Sequence, residues 1–169
     1  MRKFIALAAV GVMSVAMMSR AGTPAAPKAS ALDSIKALAG KWTSDAPPKD
    51  NMPQNNTVFA ITSGGTAVEE KLWPGSEHEM VDVYYVEDDT LYVTHYCMMG
   101  NQPRMKMTSN EGGVMKFEFV SGTNIKDRNE PHMDSLTLAV DGDKLTETWS
   151  FYQDGKVGHQ EVIEMHRAK

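Results

Sequence analysis

The residues of this sequence best suited to chemistry are an aspartate, a histidine and the only cysteine of the chain. Residues 80–87 and 90–98 are rich in Val, Tyr, Thr and Leu, and the two aspartates between them favour a two-residue turn, so the stretch predicts a β-hairpin. Its register places Asp82 opposite His95, with Cys97 on the same face because side chains alternate along a strand. The trio contains parts of a cysteine nucleophile site. We favour a buried Asp–His pair that satisfies itself, because Cys97 is only an i+2 neighbour of His95.

Further ionisable and aromatic side chains are predicted to share this inward face. Ionised groups inside a protein need partners or water, and a ten-strand barrel leaves room for a ligand, so the set predicts a wet cavity. Apolar walls with a few placed polar groups are typical of a small-molecule site. A single bulge would turn several of these side chains outward, which is the alternative interpretation. The predicted ligand-contacting residues are Glu70, Asp82, Tyr84, His95, Cys97, Met105, Phe117, Glu147, Trp149 and His159.

Ten predicted strands must position these side chains. Segments that suit strands alternate with short turn signals from Gly40 to Arg167, after a short predicted helix over Ala31–Leu38. No alternation of strands with helices occurs, so the sheet is predicted to be antiparallel. A meander of this length is expected to close, because closure removes the exposed strand edges. The predicted fold class is therefore all-β, an about ten-stranded antiparallel meander barrel, with a two-sheet sandwich as the alternative.

The turn residues also predict the cross-strand partners of the inward side chains. Gly64-Gly65 places Phe59 opposite Glu70. Later turns are predicted at Asn110–Gly112, Asp141-Gly142 and Gln153–Gly155. The pairs expected from them are Met105 with Phe117, Met107 with Met115, Leu136 with Glu147, Asp134 with Trp149, Trp149 with His159, and Glu147 with Glu161.

The start of the chain predicts the compartment. Met1-Arg2-Lys3 is a basic region, Phe4–Met18 is apolar, and Ser19 and Ala21 are small residues at the recognition positions for cleavage. We interpret residues 1–21 as a secretory signal peptide rather than a transmembrane helix, for which the apolar run is too short. No cysteine closely follows it, so no lipid anchor is predicted. Residues 22–30 are interpreted as a flexible leader and 31–169 as the barrel domain, in a periplasmic or secreted protein.

Charge and cysteine content exclude some partners. Removal of Arg2, Lys3 and Arg20 with the signal peptide leaves 14 of the 17 basic residues against 22 acidic ones, a net charge of −8. This balance disfavours nucleic acid and anionic membrane surfaces as partners. Cys97 cannot form an internal disulfide, so it is buried, metal-bound or paired between molecules, and we favour a buried thiol. The oligomeric state is left open.

Histidine and sulfur residues raise the question of a metal site. His95, His132 and His159 lack a close ligand spacing such as H-E-x-x-H. Soft sulfur ligands select Cu(I), but methionine also fills irregular gaps in a core, and we favour that role. The residues that offer such ligands are Cys97, Met98, Met99, Met105 and Met107. No metal ion, cofactor or catalytic motif is predicted, and we expect a binding protein rather than an enzyme.

Two features carry a resemblance to a known family. Gly40-Lys41-Trp42, at the first strand after a short helical lead-in, resembles the G-x-W motif of the lipocalins and their calycin relatives. Arg167, at the end of the last strand, resembles the basic residue that packs on that tryptophan. The chain thus resembles secreted bacterial lipocalin-like proteins, and ten strands are closer to fatty-acid-binding proteins and nitrobindins than to eight-strand lipocalins. The resemblance implies a barrel that binds a small amphiphilic molecule.

The nitrobindin resemblance implies an alternative, a haem or metal protein or enzyme that uses barrel histidines. A nitrobindin-like haem site would use a histidine on the last strand, and His166 is near that place. Strand alternation puts His166 on the face opposite Ile163 and Met165. The residues after Trp42 also depart from the nitrobindin pattern. We therefore expect small-molecule binding without a cofactor.

Overall fold

The computed structural model describes residues 30–49 and 51–169. The predicted signal peptide, and residues 22–29 of the predicted leader, lie outside this part of the chain. The described part begins with one short helix, followed by ten strands and a single 3₁₀ turn at Ser63–Gly65. The elements are α1 (Ala31–Lys36), β1 (Gly40–Thr43), β2 (Asn56–Thr62), β3 (Ala67–Leu72), β4 (Met80–Glu87), β5 (Thr90–Tyr96), β6 (Gln102–Glu111), β7 (Val114–Thr123), β8 (His132–Asp141), β9 (Lys144–Gln153) and β10 (Lys156–Arg167).

The ten strands form one closed antiparallel barrel, in which each strand pairs with its neighbours in sequence and β1 pairs with β10. The predicted meander barrel is confirmed, and the sandwich alternative is wrong. Closure is narrow, because β1 and β10 share only the pairs Trp42–Arg167 and Thr43–His166. β1 pairs with β2 over four residues on its other side. The β1–β10 seam therefore has fewer paired residues than any other pair of neighbouring strands in the barrel.

Helix α1 packs against strands β2–β5 and buries Leu32 and Ile35. Ser30 caps the start of the helix, and its backbone N–H donates to the Asp33 carboxylate at 2.9 Å. An acidic side chain in the first helical turn satisfies free N–H groups there and complements the helix dipole. A six-residue helix is not stable alone, so the buried face holds it in place.

The central hairpin has the predicted register. Asp82 pairs with His95 and Tyr84 with Val93, and Phe59 pairs with Glu70 in the preceding hairpin. The β4–β5 turn holds Asp88 and Asp89 at φ +46° and +59°. Aspartate tolerates this left-handed conformation better than most residues, which fixes a two-residue turn and therefore the register.

The registers predicted for the three later hairpins are wrong by two residues. Met105 pairs with Phe119 and Met107 with Phe117. Leu136 pairs with Trp149 and Leu138 with Glu147. Glu161 pairs with Trp149 and Ile163 with Glu147.

The slips arise from turn positions and bulges. The β6–β7 turn lies at Gly112-Gly113, both at positive φ, and not at the predicted three-residue loop. A bulge between Met107 and Ser109 then returns the side chains of the preceding residues to the predicted face of the sheet. A second bulge lies between Val157 and His159. Because side chains alternate with period two, a net slip of two residues changes partners but not faces.

Three side chains predicted to face the interior do not reach it. Glu161 is 33% exposed and forms an ion pair with Lys49. The His159 side chain is 68% exposed, so its predicted place inside the barrel is wrong. It lies just beyond the bulge in β10, where the strand leaves the buried part of the wall. Asp134 is skipped by the pairing of β8 with β9 and forms an ion pair with Arg128 instead. Among the described residues, no helix is long and apolar enough to cross a membrane.

Candidate functional site

Five of the predicted site residues converge in the centre of the barrel. Glu70, Asp82, Tyr84 and Glu147 are fully buried, and His95 almost so. They come from strands β3, β4, β5 and β9, and each faces inward because it lies in phase with buried apolar neighbours on its strand.

Asp82 and His95 form a close pair. His95 Nδ1 lies 2.8 Å from Asp82 Oδ1, and the imidazole packs on the Trp149 ring at 4.9 Å between centroids. Burial disfavours the imidazolium, yet the Asp82 carboxylate outweighs it and raises the pKa of His95 to about 10. Burial also raises the pKa of Asp82, and His95 partly offsets this. The pair therefore holds its shared proton throughout the neutral range.

Glu70 is held by two hydroxyl donors. Thr57 Oγ1 donates to Oε1 at 2.8 Å, and the Tyr84 hydroxyl donates to Oε2 at 2.6 Å. Burial, and then the nearby charges of Glu147 and Asp82, raise the pKa of Glu70 well above its ordinary value. Burial raises the pKa of the Tyr84 hydroxyl as well. The surroundings of Glu70 thus favour the protonated, neutral form of its carboxyl group.

Glu147 has one carboxylate oxygen without a donor. Trp149 Nε1 donates to Oε2 at 3.3 Å, whereas Oε1 has no hydrogen-bond partner among the described residues. Burial raises the pKa of Glu147 to about 7, against interactions with Glu70 and Trp149 that lower it. Its carboxyl group therefore titrates near neutrality, and the network can accept one more polar group at this oxygen.

Aromatic and sulfur side chains fill the space around this network. Tyr84 packs between Phe59 and Phe117, with ring centroids 6.2 and 5.9 Å apart. Met105 and Phe117, two of the predicted ligand-contacting residues, are completely buried. Glu70, Asp82 and His95 line neither of the two cavities described next. They form instead a polar cluster inside a packed core, joined by the hydrogen bonds described above.

A cleft of about 580 Å³ opens in the side of the barrel. It lies between the β1–β2 loop (residues 44–49 and 51–55), here called the cleft loop, and strands β9 and β10. Proline lacks a backbone N–H, and three prolines, Pro47, Pro48 and Pro53, prevent this loop from extending β1 along β10. The residues that line the cleft are Ser44, Asp45, Ala46, Pro47, Lys49, Asn55, Lys144, Leu145, Thr146, Val162, Ile163, Glu164, Met165 and His166.

The cleft leads towards Glu147. A small void of about 10 Å³ lies beside it and shares Asn55, Ile163 and Met165 with the cleft wall. Glu147 and Thr57 line the far side of this void. Such a volume has room for about one water-sized polar group.

Polar contacts connect the cleft loop with β10. Lys49 Nζ lies 2.8 Å from Glu161 Oε1, and His166 Nδ1 lies 3.5 Å from Asp45 Oδ2. The side chains are largely exposed, and exposed ion pairs stabilise by about 1 kcal/mol at most. The loop is therefore held loosely against the strand, and the cleft carries charges of both signs.

The predicted contact between Trp42 and Arg167 is confirmed. The guanidinium carbon lies 4.3 Å from the indole centroid, and Trp42 is completely buried. Arg167 also donates to the carbonyl oxygens of Ala39 and Ala37 at 3.0 and 2.7 Å. These carbonyls follow α1, so one side chain joins the helix end, the first strand and the last strand.

The histidines do not gather at a metal site. Within residues 30–49 and 51–169, no three His, Cys, Asp or Glu side chains are placed to hold a metal ion. His132 is buried, and its ring nitrogens are occupied by the Glu130 carbonyl at 2.6 Å and Arg128 at 2.7 Å. His166, at 43% side-chain exposure, lines the outer cleft.

Sequence reasoning missed the cleft. Its lining comes from a proline-rich loop, from residues of both faces of β10 and from residues 144–146, which are distant in sequence. The three prolines were the available signal, because they show that the loop cannot complete the wall. Comparison of the chain with protein-family models and with curated proteins gave no match. The function therefore rests on the chain's own residues.

Proposed function

We propose that this protein binds a small amphiphilic molecule non-covalently in the side cleft of the barrel. The observation that carries the proposal is the cleft itself, about 580 Å³ in volume, with a buried carboxylate beyond its inner end. Small-molecule sites commonly have volumes of roughly 300–1,000 Å³, with apolar walls and a few placed polar groups. The proposed binding site is thus the side cleft, and not the barrel centre that the sequence had predicted.

The composition of the cleft supports an amphiphile. Ile163 and Met165 form an apolar inner wall. Lys144 and Glu164 stand at the outer rim and can contact a polar head group of either sign. Burial of an apolar chain against the inner wall would supply most of the affinity, at roughly 25 cal/mol per Å².

The inner end supports selectivity for a ligand with a hydrogen-bond donor. Glu147 Oε1 lacks a donor among the residues that the structure describes, and a hydroxyl or amine of a ligand that reached it would satisfy it. A ligand without such a donor would leave the oxygen unpaired, which costs about 1–3 kcal/mol.

A matched pair of variants on β10 tests the site. Val162 lines the cleft and is 52% exposed, whereas Val157 lies on the same strand outside the cleft and is 48% exposed. We expect Val162→Trp to fill the cleft and lower affinity at least about tenfold, or 1.4 kcal/mol, while Val157→Trp binds as wild type does. Calorimetric titration with laurate, dodecylamine and dodecylphosphocholine measures this.

The outcome decides between cleft and core. If none of the three amphiphiles binds, or if Val162→Trp binds them as tightly as wild type, the proposed function is wrong. Mass spectrometry of molecules extracted from gently purified protein then identifies what the wild type carries.

Family and compartment are part of the same proposal. The stacking of Arg167 on Trp42 and the ten-strand meander support a lipocalin-like member of the calycin superfamily. The sequence of residues 1–21 supports export to the periplasm or the medium. We propose a binding protein rather than an enzyme for this cleft, with no nucleic-acid partner.

A further inference from the structure

The small void at the inner end of the cleft has one ionisable side chain in its wall, that of Glu147. The void measures about 10 Å³ and shares Asn55, Ile163 and Met165 with the cleft. Glu147 is completely buried, and no Lys, Arg or His stands among the described residues that line the void. Within the described chain, Glu147 also takes part in no ion pair.

The neighbouring charges do not compensate that of Glu147. Asp82 and His95 lie 2.8 Å apart and are neutral as a unit when a carboxylate faces an imidazolium. The surroundings of Glu70 favour its neutral form. An ionised Glu147 is therefore the uncompensated charge of the described cluster, and its Oε1 has no donor among the described residues. A buried ion without a partner is unfavourable, so this position favours a cation that carries N–H groups.

We propose that the cleft binds a primary alkylamine with its ammonium group inward, in the void beside Glu147. This inference rests on the proposed function and names the class of its ligand. An ammonium group needs three acceptors, and the side chains of Glu147, Thr57 and Asn55 line the void and offer oxygen atoms. Asn55 Oδ1 accepts from Trp73 Nε1 at 3.1 Å, which leaves it one lone pair.

Size and charge separate this ligand class from other amphiphiles. The void has room for about one water-sized group, which suits an ammonium group and is too small for a trimethylammonium group. A fatty-acid carboxylate would meet Glu147 as a like charge, and an alcohol would leave the charge of Glu147 uncompensated. The alkyl chain of the amine then packs on Ile163 and Met165, and its other end lies at the rim of the cleft.

Binding of an ammonium group also displaces a proton. Glu147 has a pKa of about 7 in the free protein, so below this pH it is largely a neutral acid. A bound ammonium group favours the carboxylate, and an alkylamine itself stays protonated up to a pH of about 10. The outer cleft adds His166, and histidine ordinarily changes charge near neutral pH. The titratable groups that interact with the Glu147 side of the cluster are Glu70, Asp82, Tyr84 and His95.

Calorimetric titration of the wild-type protein with three ligands of one chain length tests the head group. Decylamine should bind at least about tenfold more tightly at pH 7.5 than decyltrimethylammonium or 1-decanol. Its affinity should rise about tenfold from pH 5.5 to 7.5, because the ionised fraction of a group with a pKa of about 7 rises by somewhat more than this. Titrations in two buffers of different ionisation enthalpy should show release of close to one proton at pH 5.5.

A conservative variant assigns these effects to Glu147. Glu147→Gln keeps the shape of the side chain and removes its charge. It should weaken decylamine about tenfold at pH 7.5, abolish the proton release and flatten the pH dependence, although His166 is still present. The affinity for decyltrimethylammonium should change less than about twofold. Glu118→Gln makes the same chemical change on the exposed face of β7 and outside both cavities, so it should bind decylamine as wild type does.

The ligand comparison decides the inference even if Glu147→Gln fails to fold. Decylamine that binds no better than the other two ligands, or that binds at pH 5.5 without proton release, overturns it. A loss of decylamine affinity in Glu164→Gln but not in Glu147→Gln would place the ammonium group at the rim and overturn it as well. In each case the proposed function stands if Val162→Trp weakens the binding of amphiphiles. If no amphiphile binds, both fail.

Discussion

Arg167 gives the sharpest test of how the barrel is closed. Its guanidinium stacks on buried Trp42 and donates to the carbonyl oxygens of Ala37 and Ala39. Arg167→Ala removes a cation–π contact of about 1–2 kcal/mol. It also removes two charge-assisted hydrogen bonds, each of about 1 kcal/mol after a discount for the 34% exposure of the side chain.

We therefore expect Arg167→Ala to lower the free energy of unfolding by roughly 3 kcal/mol. Lysine keeps the charge but lacks the planar fork, so Arg167→Lys should recover about half of the loss. Urea unfolding followed by tryptophan fluorescence measures both values.

Lys41→Ala is the matched control, because Lys41 is an exposed cationic residue next to Trp42 on β1. We expect it to change the stability by less than about 0.5 kcal/mol. The reasoning is refuted if Arg167→Ala also stays within this range, or if lysine at position 167 restores the full stability.

The other predictions concern pH and the first strand. Glu147 titrates at about 7 in the folded protein against an ordinary value of 4.5, and His95 at about 10 against 6.5. The folded state therefore binds more protons than the unfolded state, so the free energy of unfolding should fall as pH rises from 4.5 to 7 and again from 6.5 to 10. Urea titrations at pH 5 and 9 should show lower stability at pH 9, and Glu147→Gln should flatten the change between pH 4.5 and 7; a wild type more stable at pH 9 contradicts this. Gly40 lies at φ +125°, and a Cβ added there would lie only 3.3 Å from Arg167 Nη1. Gly40→Ala should therefore lower the free energy of unfolding by about 1–3 kcal/mol. Gly158→Ala meets no atom within 4 Å and should be close to neutral in the same thermal melts; equal melting temperatures would exclude strain at Gly40.

The period-two pattern explains why the inward set was mostly predictable. Glu70, Glu147 and Trp149 face the interior as the sequence indicated, although Glu147 and Trp149 have other partners than expected. A slip by two residues keeps every side chain on its face. Apolar alternation therefore determines which residues are buried with more certainty than it determines what they touch.

Turn chemistry decided the registers only where one choice was available. Asp88 and Asp89 adopt positive φ and allow one two-residue turn, so Asp82 and His95 meet as predicted. At the β6–β7 tip, Gly112 and Gly113 follow Asn110-Glu111, and each neighbouring pair satisfies turn preferences. Bulges then adjust the ladder, and their positions depend on packing against both neighbouring strands.

The sequence alone determined the ten strands, the barrel and the two residues that close it, Trp42 and Arg167. These features depend on local alternation, short turns and single residue types, all of which are written along the chain. Only the tertiary structure decided the packed centre, the proximity of Glu70 to Glu147 and the cleft beside β10. Each depends on distances between strands that are far apart in sequence, and on how completely side chains fill the space between them. The cleft lies beside the cleft loop, whose three prolines lack the backbone N–H groups that a further stretch of strand would need.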